Sequence, residues 1–306
     1  MNKKDISESV RQRLLNRAKS ENRSFNELLQ YYAMEKFLYR LSVSEYVDNF
    51  ILKGALMLRV WNSPDIRPTM DIDVLGITDN EALNIVRIIR EIIAIKVDND
   101  GLTFDADSIK TEQITEDAQY KGLRVNFDGL LGTAKVYIQI DIGFGDVIYP
   151  HPETGFLPTV LEGPSPELVC YSRESAIAEK FHAMVKIGML NSRMKDFYDI
   201  WLLSKHYKFK NAELAKAIAA TFLNKGTFIP GEIVAFSKEF IDSKQTMWQA
   251  FTKRIKLQNT PDKFAEIVSE VETFLNPAIK IARKVIVTKS SNESGHYYNR
   301  TEKKSR

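Results

Sequence analysis

The sequence contains a strand-like stretch with one acidic face, Arg67-Pro68-Thr69-Met70-Asp71-Ile72-Asp73-Val74-Leu75. Side chains of a β-strand alternate between its two faces, so Asp71 and Asp73 point the same way. Ile72 and Val74 point the other way, toward a core. Two carboxylates on one strand face suit a divalent cation, although an Asp-x-Asp pair alone more often belongs to a solvated strand face or a turn.

A second acidic strand is predicted further along the chain. Between residues 101 and 146 the apolar residues recur with a period of two, which predicts half-buried strands. Two of these strands are expected to be antiparallel neighbours joined near Gly129–Gly132. Asp141 falls on the polar face of the later strand and supplies a third carboxylate, although a single aspartate there is more often simply exposed.

Three carboxylates on neighbouring strands suit chemistry at phosphorus. Mg²⁺, or Mn²⁺ in its place, takes hard oxygen ligands, and paired ions stabilise the attacking and leaving oxygens of an in-line displacement. We predict that Asp71, Asp73 and Asp141 bind metal, and that Asp141 also accepts the proton of an attacking hydroxyl. Gly54 predicts a tight turn that opens a short helix, whose backbone N–H groups approach phosphate.

The remaining segments predict an α/β (α+β) fold, with a mixed or antiparallel sheet, flanking helices and a helical C-terminal domain. Apolar residues at helical spacing fill residues 4–46, and a capping box predicts that one helix begins near Phe25. Five of the ten prolines lie within residues 147–168, which predicts a linker. We therefore expect a core with N-terminal helices over 1–160, a helical domain over 161–287 and a disordered tail over 288–306.

The bulk composition is that of an ordinary globular protein. The chain has 306 residues, a formal net charge of +3 and 44% hydrophobic residues, so a nucleic-acid partner would have to be bound by a local basic patch. A single cysteine, Cys170, excludes an internal disulfide, and no stretch is apolar enough to span a membrane, so we predict a cytoplasmic protein without a membrane partner. Four scattered histidines offer no zinc-ligand spacing, and no Walker A or Rossmann glycine pattern is present.

Two helical segments carry charged side chains beside their apolar stripes. Residues 172–188 predict a helix with Lys180 at the edge of the stripe and His182 on the opposite, solvent-facing side. The residues alone favour a lysine that snorkels into solvent or forms a salt bridge, and the alternative is one that faces a cleft and neutralises phosphate charge. Further on, Asp196 and Asp199 are spaced as neighbours on one side of a helix. The residues alone leave open whether they stabilise the start of that helix through its dipole or form part of a site.

Residues 205–256 are rich in lysine, with aromatic residues interleaved. One interpretation is a surface that follows an RNA backbone and stacks exposed bases. The other, favoured by the residues alone, is a mixed-charge helical surface over an aromatic core. The aromatic residues concerned are Tyr207, Phe209, Phe222, Phe236, Phe240 and Trp248.

Four ordered motifs over roughly residues 50–205 resemble the nucleotidyltransferase toxins of the AbiEii/AbiGii type, within the DNA polymerase β-like nucleotidyltransferase superfamily. The first is Leu52-Lys53-Gly54-Ala55 with the acidic strand at 67–73, and the second is Ile140-Asp141-Ile142-Gly143. The third and fourth are Glu174…Ala178-Glu179-Lys180 and Arg193…Lys195-Asp196-Phe197-Tyr198-Asp199. Family members usually place a second small residue and then Ser or Thr after the motif-one glycine, where this chain has Ala55 and Leu56. A hydroxyl contact to phosphate is therefore absent.

The resemblance implies Mg²⁺-dependent transfer of a nucleoside monophosphate from an NTP to an acceptor hydroxyl, with release of pyrophosphate. It implies that the catalytic residues are Asp71, Asp73, Asp141, Lys180 and Asp199, the first three as metal ligands. It implies that the nucleotide-binding residues are Gly54, Ala55, Arg67, Lys180 and Asp196. It also implies a bacterial or phage-defence toxin–antitoxin pair with a cognate antitoxin, and RNA, in some relatives the tRNA 3′ end, as acceptor.

Two other classes of function stay open. One is a small-molecule nucleotidyltransferase of the antibiotic-modifying type, and the other is a non-catalytic module that binds nucleotide or RNA. The absent motif-one hydroxyl keeps the second class open. Pyrophosphate release distinguishes either transferase from a binding module, and a substrate screen without RNA distinguishes the two transferases.

Overall fold

The structure, a computed structural model, describes residues 3–98, 100–117, 120–255 and 259–301. The chain divides into two compact units. The first comprises Met1–Asp146 with Pro152–Tyr171, and the second comprises Val147–His151 with Ser172–Arg306. The predicted boundary at residue 160 therefore falls within the first unit. That the two units fold as independent domains stays a prediction.

The first unit is built around a mixed seven-stranded sheet. Its strands are β1 (Phe50–Lys53), β2 (Ile72–Gly76), β3 (Leu102–Asp117), β4 (Tyr120–Leu131), β5 (Ala134–Phe144), β6 (Glu153–Phe156) and β7 (Glu167–Cys170). They lie in the order β3-β4-β5-β2-β1-β7-β6. The pairs β2–β5 and β1–β7 are parallel and the others are antiparallel. The predicted fold class, with a mixed sheet and flanking helices, is confirmed.

One face of the sheet is apolar and carries the core of the first unit. The alternating apolar side chains of the central strands are at most 2% exposed, namely Ile72, Val74, Val125, Ile140 and Ile142. The helices of this unit are α1 (Lys3–Ser20), α2 (Phe25–Ser42), α3 (Leu56–Val60) and α4 (Ala82–Ala94), with a 3-10 turn at Val47–Asn49. α2 packs against β5 and β7 and begins at the predicted Phe25, where Ser24 Oγ accepts a hydrogen bond from Glu27 N. Burying this face leaves the opposite, polar face for chemistry.

The predicted linker at 147–168 is wrong, because β6 and the start of β7 lie within it. β7 pairs with β1, and β6 pairs with β7 at the edge of the sheet. Leu168 and Cys170 are 1% and 3% exposed, so a strand of only four residues still contributes to the core. The prolines of this segment lie outside the two strands, where no ladder hydrogen bond is lost. Short strands between prolines carry too little periodicity to be recognised.

The second unit is helical. Its helices are α5 (Arg173–Ile187), α6 (Met194–His206), α7 (Asn211–Asn224), α8 (Lys238–Ile255) and α9 (Phe264–Thr301), with 3-10 turns at Gly188–Leu190 and Val234–Phe236. α5 is capped by the Ser172 hydroxyl and ends at Gly188, whose φ is 56°. α9 includes most of the segment 288–306, and disorder of that segment stays a prediction. Among the described residues no helix has the length and apolarity needed to cross a membrane.

Candidate metal site and its surroundings

The strand register places four charged residues in one row across the polar face of the sheet. Lys53 on β1 pairs with Asp73 on β2, and Asp73 pairs with Asp141 on β5. Asp141 in turn pairs with Arg124 on β4. Asp71 immediately precedes β2, two residues before Asp73, and therefore lies on the same face. The parallel pairing of β2 with β5 is the contact that brings together carboxylates far apart in sequence.

Asp71, Asp73 and Asp141 form a cluster in which one carboxylate oxygen from each residue lies within 4.8 Å of the others. All three side chains are partly exposed. Mg²⁺ binds oxygen at about 2.1 Å, so two ligands of one ion lie at most about 4.2 Å apart. The spacing within the cluster is close to this limit. A set of hard, anionic oxygens without nitrogen or sulfur suits Mg²⁺ or Mn²⁺.

Helix α2 and the residues before β2 fix the position of the first carboxylate. The Gln30 side-chain amide donates to the carbonyl oxygens of Met70 and Tyr137, each at 2.9 Å. This buried bridge joins the chain just before Asp71 to β5. The Thr69 hydroxyl then donates a short hydrogen bond to Asp71 Oδ1. The start of β2 is therefore held from both sides.

Asp141 is held by two neighbours. Arg124 Nε donates to Asp141 Oδ1 and Arg124 Nη2 donates to Oδ2, both at 2.8 Å. Gln139 Nε2 lies 3.2 Å and 3.3 Å from the same two oxygens. Hydrogen bonding to Asp141, with the negative charges of Asp141, Glu112 and Asp71, raises the pKa of the Arg124 guanidinium. The sequence analysis did not identify Arg124 or Gln139 as site residues.

A second cation lies at the other end of the row. Lys53 Nζ is 2.8 Å from Asp146 Oδ2, and the two side chains are 19% and 8% exposed. A β-carbon on Gly143 would lie 3.3 Å from Lys53 Nζ, so the lysine extends across β2 toward the end of β5. Lys53 belongs to the first motif, but its sequence context predicted no role for it. The carboxylate cluster is thus flanked on the sheet by Lys53 and Arg124.

The predicted turn at Gly54 is confirmed, and it opens the short helix α3. The φ of Gly54 is 70°, and Met57 N donates to the Gly54 carbonyl oxygen at 3.3 Å. Ala55 is 4% exposed and Arg67 is 7% exposed, so little of either side chain reaches the surface. Binding of phosphate by Gly54, Ala55 and Arg67 stays a prediction.

In the second unit, α5 and α6 bring together Lys180, Asp196 and Asp199. Lys180 Nζ lies 2.9 Å from Asp199 Oδ2 and 3.5 Å from Asp196 Oδ1. Arg193 Nε lies 3.0 Å from Asp196 Oδ2, an ion pair without good hydrogen-bond geometry. The side chains of Asp196 and Asp199 are 2% and 1% exposed, and that of Lys180 is 17% exposed. Two buried carboxylates therefore meet two cationic side chains.

The prediction for His182 is wrong, whereas the favoured interpretation of the aromatic residues agrees with their burial. His182 is 5% exposed, not solvent-facing, because its ring lies against Phe222 and its Nε2 is 2.9 Å from Thr227 Oγ1. Phe222, Phe240 and Trp248 are 0% exposed, as expected for side chains of an aromatic core. Because they are buried, they cannot stack on RNA bases. Helical periodicity identified one apolar stripe on α5 but not the packing of α7 against its other side.

One groove in the second unit combines an apolar floor with a basic rim. It has a volume of about 590 Å³. Buried Met194 and Phe251 line it together with the exposed Met247. The basic side chains of Arg193, Lys195 and Arg254 line its rim. Lys195 and Arg254 are exposed. This arrangement suits an anionic partner.

The sheet and its carboxylate cluster fit the nucleotidyltransferase class. Residues 36–270 match the family described as "Nucleotidyl transferase AbiEii toxin, Type IV TA system". Because the match covers more than half of the chain, the protein belongs to the AbiEii family of nucleotidyltransferase toxins.

Two solved structures resemble this chain. JHP933 from Helicobacter pylori is 15% identical with a TM-score of 0.47, and the match covers 90% of this chain and 99% of that one. A chain described as "putative nucleotidyltransferase from H. pylori" is 14% identical with a TM-score of 0.46, and the match covers 86% of this chain and 98% of that one. Comparison with curated proteins gave no match.

Proposed function

We propose that the protein transfers a nucleoside monophosphate from an NTP to a hydroxyl of RNA, in a reaction that requires Mg²⁺ or Mn²⁺. The observation that carries the proposal is the cluster of Asp71, Asp73 and Asp141, with oxygens within 4.8 Å of one another on the polar face of the sheet. Family membership supports the transferase class. It also implies an antitoxin partner, and we propose that the pair acts in the cytoplasm.

The proposed reaction is an in-line displacement at the α-phosphorus. The acceptor oxygen forms a bond to this phosphorus, and the bond from phosphorus to the bridging oxygen of pyrophosphate breaks. Pyrophosphate leaves with the electron pair, and the hydroxyl proton passes to the Asp141 carboxylate. A bound cation neutralises charge that develops on the phosphoryl oxygens. Asp71, Asp73 and Asp141 would hold that cation.

We further propose that Lys180 contacts nucleotide phosphate, as the resemblance implies. Its ion pairs with Asp196 and Asp199 would fix the ammonium group in one position. Gly54, Ala55 and Arg67 are proposed as further nucleotide-binding residues on the same ground.

RNA is the proposed acceptor because the groove in the second unit has a basic rim. Basic side chains beside an apolar surface suit a phosphate backbone with unstacked bases. The double variant Lys195→Glu and Arg254→Glu should therefore weaken RNA binding strongly. A matched control is Lys280→Glu with Lys284→Glu, which makes the same change of charge at exposed positions on α9.

The test is incubation of the protein with each labelled NTP, Mg²⁺ and total tRNA, with Asp73→Asn as the inactive control. We expect label on RNA and release of pyrophosphate with the wild-type protein only. Pyrophosphate release without labelled RNA would mean transfer to water or to the protein itself. Label transfer to a small hydroxyl compound added in place of tRNA would then show a small-molecule acceptor. Binding of NTP without any pyrophosphate release would favour a non-catalytic module and overturn the proposal.

A further inference from the structure

We infer that Arg124 is a positioning residue, which holds the Asp141 carboxylate in the orientation that binds the cation. The inference rests on the proposed metal site, and it assigns Arg124 a role through Asp141 and not on the substrate. Arg124 lies on β4, directly opposite Asp141 on β5.

The contact between Arg124 and Asp141 is a fork that engages both carboxylate oxygens. The two N–H···O distances are equal at 2.8 Å, from Nε to Oδ1 and from Nη2 to Oδ2. Two parallel hydrogen bonds fix the plane of the carboxylate as well as its position. Gln139 approaches the same two oxygens at 3.2 Å and 3.3 Å. Asp141 therefore cannot rotate about its side-chain bonds without breaking several contacts.

This fork leaves room for a cation. Two carboxylate oxygens offer about four lone-pair sites, so Arg124 occupies only part of the acceptor capacity of Asp141. The Asp141 side chain is 18% exposed, and one of its oxygens remains within 4.8 Å of oxygens of Asp71 and Asp73. Arg124 also supplies one positive charge beside three carboxylates that repel one another. Partners that orient metal ligands in this way commonly affect metal affinity about 10–100-fold.

The substitution Arg124→Lys separates geometry from charge. Lysine keeps the positive charge but has a single ammonium group that cannot form the planar fork. If orientation matters, Mn²⁺ affinity falls although the net charge of the site is unchanged. Gln139→Met is a second variant that removes the weaker contacts and keeps Arg124.

The experiment is titration of the full-length protein with Mn²⁺, followed by electron paramagnetic resonance, without NTP or RNA. Asp141→Asn gives the Mn²⁺ affinity of a site that has lost one carboxylate ligand. Arg90→Lys is the matched control, because Arg90 meets Asp107 at 3.5 Å in an exposed ion pair on the same unit. Thermal unfolding in EDTA identifies any variant that has lost its fold.

We expect Arg124→Lys to bind Mn²⁺ about 10-fold more weakly than the wild type, Gln139→Met to show a smaller loss, and Arg90→Lys to show none. Equal Mn²⁺ affinity in the wild type and Arg124→Lys would overturn the inference while leaving the proposed function intact. If Arg124→Lys does not fold, Arg124→Gln takes its place, and wild-type Mn²⁺ affinity in Arg124→Gln would overturn the inference. A wild-type protein that binds no Mn²⁺ would overturn the metal site itself.

Discussion

A β-carbon at position 54 would lie 1.9 Å from Asp73 Oδ2, so any other residue at that position would have to displace the Asp73 side chain. Gly54 also has a φ of 70°, which disfavours residues with a side chain. These are separate constraints, since the first concerns the carboxylate cluster and the second concerns only the backbone. The glycine of the first motif is thus required by the side chain of Asp73, a proposed metal ligand, as well as by the turn.

Gly54→Ala should weaken Mn²⁺ binding as well as stability. The backbone strain should cost about 1–2 kcal/mol of unfolding free energy, and the added methyl group must displace Asp73. Urea denaturation and Mn²⁺ titration measure the two effects. Gly132→Ala is the control, because Gly132 has a φ of 61° but its nearest neighbour to an added β-carbon is at 3.6 Å. Gly132→Ala should lose stability only, and wild-type Mn²⁺ affinity in Gly54→Ala would contradict the assignment.

Asp73→Asn should abolish the stabilisation of the protein by Mn²⁺ without unfolding the metal-free protein. Neutralising one of three neighbouring carboxylates relieves repulsion, whereas it removes a ligand of the cation. Transfer activity should fall at least about 100-fold. Thermal unfolding with and without Mn²⁺ provides the measurement, since a ligand of the folded state raises the midpoint. Asp107→Asn, at an exposed position, should behave as the wild type.

Lys180→Met should destabilise the second unit strongly, because it leaves the buried carboxylates of Asp196 and Asp199 with one cation fewer. Breaking a buried pair by removing one partner costs about 3–5 kcal/mol. Asp199→Asn in the same chain should recover part of the loss. Urea denaturation measures each variant.

The control for Lys180 is Lys205→Met. Lys205 pairs with Glu270 at 2.6 Å, but the two side chains are 47% and 39% exposed. Loss of such a surface pair costs at most about 1 kcal/mol. If Lys180→Met and Lys205→Met lower the unfolding free energy equally, the buried ion pairs of Lys180 stabilise the protein no more than a surface pair does.

Cys170 should stabilise the folded protein less at high pH. Burial raises the pKa of its thiol from 9.0 to about 12. The unfolded chain therefore releases this proton first, so the stabilising contribution is complete below about pH 9 and is lost as the pH rises toward 12. The stability difference between the wild type and Cys170→Ala should shrink over this range. If the stability difference between the wild type and Cys170→Ala does not change with pH, the pKa of the Cys170 thiol is not raised in the folded protein.

Much of the sheet was predictable from the sequence, because apolar and polar residues alternate along β4 and β5, which bury one face. Asp71, Asp73 and Asp141 were assigned to polar strand faces by that period alone. The position of Arg124 opposite Asp141 would also follow from the sequence if the register of the hairpin were known. The hairpin pairs Leu131 with Ala134, and counting back along both strands places Arg124 opposite Asp141. The register of the hairpin, which the period does not give, was the missing step.

Other features depend on packing that no local pattern reveals. The parallel pairing of β2 with β5 is set by the whole sheet, and the proline-rich segment hides β6 and β7. His182 lies off the apolar stripe of its helix, yet a neighbouring helix covers it. A single helix shows its own amphipathicity but not how many neighbours surround it.

We propose that Asp71, Asp73 and Asp141 bind a divalent cation used in nucleotide transfer. The most direct measurement is a crystal soaked with NTP and Mn²⁺, with data collected for anomalous scattering by manganese. We predict an anomalous peak bonded to oxygens of all three carboxylates and to phosphate oxygens of the nucleotide. Bound nucleotide with no manganese peak at these carboxylates would contradict the claim.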